Sequence, residues 1–144
     1  MAVHTSLTAD LPKLRKLTEW LTLAGYSEKI EGEYSLSLTK DPISVTLFYG
    51  RYSDLADVFV KIDDQKAERH ANGEARRYSV FEFVSVDGRQ NLVDRNDGYE
   101  TAKFGLDLLR NNAMFFEIDF LKDVRAKYLE LSIRRLPKSL RNLS

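Results

Sequence analysis

Between Ile43 and Ile62 the sequence reads ISVTLFYGRYSDLADVFVKI, and apolar residues recur at every second position on both sides of a polar tip. Ile43, Val45, Leu47 and Tyr49 share one face of the first run, and Val58, Val60 and Ile62 share one face of the second. Side chains of a strand alternate between the two faces of a sheet, so this period predicts an antiparallel hairpin with one apolar face. A slip of one residue would set apolar against polar positions throughout, so the pattern constrains the pairing. Centring the loop on Ser53 and Asp54 puts Tyr49 opposite Val58, Leu47 opposite Val60 and Val45 opposite Ile62. Phe48 then faces Phe59 on the other side, a cross-strand aromatic pair that needs cover, for which a C-terminal helix is the candidate.

The flanking segments extend this core into a fold. Leu11, Leu14, Leu17, Leu21 and Ala24 recur at helical spacing, with Asp10 as N-cap, Pro12 in the first turn and Gly25 as the stop. Trp20 lies beside that stripe and reads as a packer at the edge of the core. In EYSLSLT, Tyr34, Leu36 and Leu38 face one way and Ser35 and Ser37 the other, which is a half-buried strand, and Lys40, Asp41 and Pro42 turn the chain. Residues 63 to 77 have no apolar period and read as a polar loop with a turn at Asn72–Gly73. RYSVFEFVSV alternates on both faces and is read as a doubly covered strand, with QNLV as a short additional edge strand. Asp97 and Glu100 have capping-box spacing before the stripe Tyr99, Ala102, Leu106 and Leu109. A last helix begins near Asp119, lines one face with Phe120, Val124, Tyr128 and Leu131 with Leu121 beside them, and stops at Pro137, while MFFEIDF between the helices reads as core. The expected class is α+β: an N-terminal helix, an antiparallel meander of four strands (five with QNLV), and two C-terminal helices packed on the sheet.

Size and composition bound the function. The 144 residues suit one domain spanning 1–144, with 138–144 as a frayed basic tail. A domain of this size buries roughly 70% of its unfolded surface. The chain has no cysteine, which removes a disulfide framework, a thiol nucleophile and a cysteine zinc site. No apolar stretch approaches the roughly 18 residues of a membrane span, and MAVHTSLTADLPKLRK has no apolar signal core, so the expectation is a cytoplasmic protein with no membrane partner. Lys plus Arg and Asp plus Glu number 22 each, which disfavours nucleic acid as a general partner.

The search for chemistry finds little. Only His4 and His70 are present, in a terminus and a polar loop, and both read as solvated. No phosphate loop and no helical His pair occurs. DRNDGYETAKFG fails as a calcium loop, because Tyr99 stands where the motif needs glycine and Gly105 where it needs glutamate. No metal and no cofactor is expected. Two alternatives stay open: a carboxylate enzyme using Asp57, Asp63, Asp64 and Lys66 with a divalent metal, and a nucleic-acid adaptor using Arg134, Arg135, Lys138 and Arg141.

The tip YGRYSD gathers Tyr49, Arg51 and Tyr52, with Asp54 and Asp57 beside them. Tyrosine and arginine are over-represented where proteins bind proteins, so these five are the candidate partner-binding residues. The competing reading places Tyr49 in the core and makes Arg51 and Tyr52 ordinary turn residues. A helix ending in AGYSEK, strands ISVTLFYGRY and VFVKI, a polar middle and a closing helix with FGLDLLRNN together resemble small bacterial immunity proteins of polymorphic and contact-dependent toxin systems. The resemblance implies a non-catalytic inhibitor that occludes the active site of a toxin domain, and it carries over no individual residue. A homodimer stays open.

Overall fold

The computed structural model describes residues 6–50, 56–87 and 98–134. Five strands form one antiparallel sheet in chain order: β1 (Ser27–Ile30), β2 (Ser35–Lys40), β3 (Ile43–Tyr49), β4 (Ala56–Ile62) and β5 (Arg77–Ser79). Helices α1 (Leu11–Leu17) and α2 (Glu19–Leu23) precede the sheet. Helices α3 (Val80–Asp87), α4 (Gly98–Asn111) and α5 (Ile118–Arg134) follow it, with a 3-10 turn at Ala113–Phe116. The class is α+β, as the period changes predict.

The alternation of β2, β3 and β4 organises everything else. Leu36, Leu38, Val45, Leu47, Val58 and Val60 are fully buried on one face of the sheet. They join Leu14, Leu21, Leu106, Leu109 and Phe115 of the helical layer in one continuous core. Burying each such side chain contributes about 1.5–3 kcal/mol before the entropy of ordering is set against it.

The N-terminal helix is two helices. At Thr18 the backbone N–H and the hydroxyl both return to the Leu14 carbonyl, at 3.0 and 3.1 Å. A hydroxyl competing for that carbonyl bends a helix, and the axis restarts at Glu19. Asp10 holds the N-cap position without a side-chain cap bond. Gly25 has φ 101°, the left-handed turn expected after the stripe.

Three sequence expectations are corrected. RYSVFEFVSV is strand only at Arg77–Ser79, and Val80–Asp87 is helical. The deciding signal is SVFE, a Ser-x-x-Glu spacing of the kind that starts helices. The Ser79 hydroxyl accepts the Phe81 N–H at 3.2 Å, and Val80 and Val84 then share one buried helical face. The hairpin register is shifted by two residues: Tyr49 faces Ala56, Leu47 faces Val58, Val45 faces Val60 and Ile43 faces Ile62. This register keeps every side chain on its expected face while adding two pairs, so the shorter connection costs less closure entropy and more ladder bonds form. Phe48 faces Asp57 and Phe59 faces Thr46, so the aromatic pair is not made. Among the described residues no C-terminal helix covers them, since α4 and α3 pack against the other face of β4.

Ser27–Ile30 is a strand the period did not reveal, since all four residues are exposed and have no alternation to detect. The five strands therefore include β1; QNLV and the cap residue Asp97 lie outside the described residues. Trp20 is half-buried, edge-on to Phe116 at 6.4 Å, as a core-edge packer should be.

Helix α4 reaches the sheet through Gly105. A Cβ added there would lie 2.6 Å from Val58 Cγ2 and 3.1 Å from Val58 Cβ. Alanine improves helix propensity by about 1 kcal/mol over glycine, but overpacking a rigid contact costs typically 1–3 kcal/mol. Gly105→Ala is therefore expected to lower unfolding free energy in urea titration, against the propensity trend; an unchanged or higher midpoint would show that the α4–β4 contact yields freely.

Candidate functional site

With the helices on one face, the opposite face of the sheet is open among the described residues, and its contents follow from the register. One row across the five strands reads Lys29, Ser37, Thr46, Phe59, Ser79. The next reads Ser27, Thr39, Ser44, Lys61, Arg77. Short hydroxyl side chains occupy β2 and β3, with Lys29 of β1 on one side and Phe59, Lys61 and Arg77 of β4 and β5 on the other, so the face is hollow. The loop between β4 and β5 adds a rim through His70 and Glu74, and the resulting concavity has a volume of about 700 Å³.

The floor is ordered. Ser37 and Thr46 hydroxyls lie 3.2 Å apart, as do those of Thr39 and Ser44. Each hydroxyl can donate once and accept twice, so these cross-strand bonds leave hydrogen-bonding capacity directed into the hollow. The rim is held by Arg69, which donates to the Asp63 carboxylate at 2.8 Å and to the Asp64 and Gly73 carbonyls at 3.1 and 3.0 Å. The His70 N–H to Glu74 carbonyl bond closes the turn, whose Gly73 has φ 88°.

The walls carry charge. Lys61 and Arg77 are direct cross-strand partners, a like-charge juxtaposition that is unfavourable in a bare sheet. The Arg77 guanidinium lies 4.4 Å from the centroid of the Phe59 ring, which fixes its plane and leaves its N–H edges free to turn outward. Among the described residues, no carboxylate forms an ion pair with Lys29, Lys61 or Arg77. Glu31 and Glu74 stand on the rim. Sequence reasoning did not single out this surface; its signal was the hydroxyl alternation of SLSLT and SVT, flanked in the fold by the cations of VKI and RRY.

Of the five tip candidates, Arg51, Tyr52 and Asp54 lie outside the described residues. Tyr49 is 1% exposed, and its hydroxyl donates to the Asp10 carboxylate at 2.9 Å. Asp57 is half-buried on the opposite face, where its carboxylate accepts from the Ser79 hydroxyl at 2.6 Å and the Val58 N–H at 2.8 Å. The structure thus places Tyr49 and Asp57 on different faces and gives each a bonded position. Asp57 and Asp63 are six positions apart along extended chain, about 20 Å, so they cannot hold one metal ion together. Asp63 is engaged by Arg69, and the Asp64 carboxylate accepts the Lys66 N–H at 2.9 Å. Arg134 pairs with Glu130, one turn away on α5; Arg135, Lys138, Arg141 and His4 lie outside the described residues.

A second polar cluster lies at the β5 edge, where Glu82 of α3 pairs with Arg125 of α5 at 2.5 Å. The other carboxylate oxygen of Glu82 is buried without a hydrogen-bond partner among the described residues, as is the Tyr78 hydroxyl. Burial raises the Glu82 carboxyl above the usual carboxylate range, with the Arg125 charge and hydrogen bond opposing the shift. Burial likewise raises the Tyr78 phenol.

Two outcomes follow from these contacts. Tyr49→Phe strips the buried Asp10 carboxylate of a donor and is expected to cost about 1–3 kcal/mol in denaturant titration. Because the Glu82 carboxyl is raised on folding, the unfolded chain ionises first, and this group's stability contribution is lost as pH rises above the ordinary carboxylate value. The stability of Glu82→Gln relative to the native chain should therefore increase between about pH 4 and pH 7, whatever its absolute value. A difference that stays flat over that range, measured by thermal melts, would remove the burial effect.

Compared with protein-family models, with curated proteins and with solved structures, the chain matches none of them.

Proposed function

We propose that this is a non-catalytic binding protein, an immunity-type inhibitor that neutralises a bacterial toxin domain by occluding its active site, and that the open face of its sheet is the surface that meets the partner. The observation that carries this reading is the hollow of about 700 Å³ with an ordered hydroxyl floor and cations on its walls. A sheet face buried under helices on one side and left polar and concave on the other is a rigid platform for recognition, because its side chains are held by the ladder rather than by a loop. The resemblance in organisation to immunity proteins supports the antidote form of the reading. Occlusion needs no chemistry from this chain, only a complementary surface that excludes substrate.

The test is to recover the partner from the native host with tagged protein, rebuild the complex from purified parts, and measure inhibition of the partner's activity. A stoichiometric complex with loss of that activity is expected. Lys61→Glu should weaken it at least about tenfold, since a reversed charge at a recognition surface repels what the native charge attracts. Arg51→Ala and Tyr52→Ala should change it by less than about threefold if the open face is the working surface. The reverse ranking would return recognition to the hairpin tip. Substrate turnover by the purified chain, abolished by one carboxylate substitution, would overturn the reading altogether.

A further inference from the structure

The proposed binding reading leaves the partner's chemistry open, and the hollow narrows it. We infer that the open face receives an extended acidic segment of a protein partner, carrying carboxylates four residues apart, and this rests on that reading. The cations stand on two separate walls. Lys29 is on β1 and Lys61 is on β4, three strand spacings across and two residues along the strands, or about 16 Å between backbone positions. A single phosphate or a single carboxylate meets both only if the two lysines lean fully toward each other over the hydroxyl floor, against their mutual repulsion. An extended chain rises about 3.4 Å per residue, so its positions i and i+4 point the same way about 14 Å apart. One carboxylate then meets Lys61 and Arg77, where the arginine fork suits a bidentate contact, and the other meets Lys29. The intervening polar groups lie over Ser37, Thr46, Thr39 and Ser44, whose hydroxyls can donate to or accept from a peptide backbone.

The same surface discriminates against a nucleic-acid strand. Arg77 already covers the Phe59 ring, so no base can stack on that side of it. Glu31 and Glu74 on the rim would face a continuous line of phosphates, whereas they tolerate carboxylates that are spaced. The cationic walls also explain why Lys61 and Arg77 can remain adjacent: an incoming anion turns their mutual repulsion into a shared attraction.

The probe is a nine-residue Ser/Gly peptide with glutamates at its third and seventh positions, titrated into isotopically labelled full-length protein and followed by amide chemical shifts. Shifts are expected at Lys29, Thr46, Lys61 and Arg77, with affinity at least tenfold above that of the same peptide bearing glutamines. Lys61→Gln combined with Arg77→Gln should reduce the affinity tenfold or more while leaving the spectrum otherwise folded. An equal response to the glutamine peptide, equal binding by the double variant, or no response on this face overturns the inference. So does tighter binding of inorganic phosphate or oligothymidylate at these same residues, which would assign the hollow to a small anion or a nucleic acid. A partner complex that survives the double substitution also overturns it, yet leaves the binding-protein reading standing. Peptide binding by a chain that inhibits no partner separates the two in the other direction, upholding the acidic ligand while the antidote reading fails.

Discussion

Val45, Leu47, Val58 and Val60 form a block at the centre of the sheet, and every helix contact with the sheet is arranged around covering it. Because strand side chains alternate strictly, committing these four to one face commits Thr46, Phe59 and Lys61 to the other. The buried face and the open face are therefore one decision made in the β3–β4 pairing. The closeness of that covering is set by Gly105, whose missing side chain lets α4 lie directly on Val58. A thicker contact would lift α4 and loosen Leu106 and Leu109 from the core.

The polar interactions divide between the two faces of this block at its hairpin end. On the covered face Tyr49 passes beneath the start of α4 to reach Asp10 of the N-terminal layer, tying residues far apart in sequence. On the other face Asp57 holds Ser79, and Ser79 holds the first turn of α3. Glu82, one turn later, reaches α5 through Arg125. A chain of bonds thus runs from the open sheet face, around the β5 edge, into the helical layer. That chain explains why β5 is only three residues long: Ser79 ends the strand and begins the helix.

The legible parts of the fold were those where one physical pattern acted alone. Leu36 and Leu38, the β3–β4 faces and the α4 stripe are half-buried elements with clean periods, and the sequence pattern locates them correctly. VFEFV could not be read that way, because its apolar residues satisfy a strand and a helix equally well, and the serine cap decides between them. The register failed by two residues for a related reason: parity excludes odd slips, while even slips leave each face unchanged. Exposed β1 has no burial pattern at all, so only pairing with β2 defines it. The candidate surface was hidden because it is assembled from five strands, and no single stretch contains both its hydroxyl floor and its two walls.

The sheet ends in two unlike borders. Beyond β5 the chain turns at once into α3, which the Glu82–Arg125 pair ties to α5. Beyond β1 there is no neighbour among the described residues, so a line of backbone N–H and C=O groups faces outward. Such a border invites unrelated chains to add on, which is how ordered aggregates begin. Here it is only four residues long and carries Glu28 toward one side and Lys29 toward the other, with Glu28 fastened to Arg15. A foreign strand would have to bury a charge whichever way it approached, so the exposed border is guarded by its own side chains against growth into a fibre.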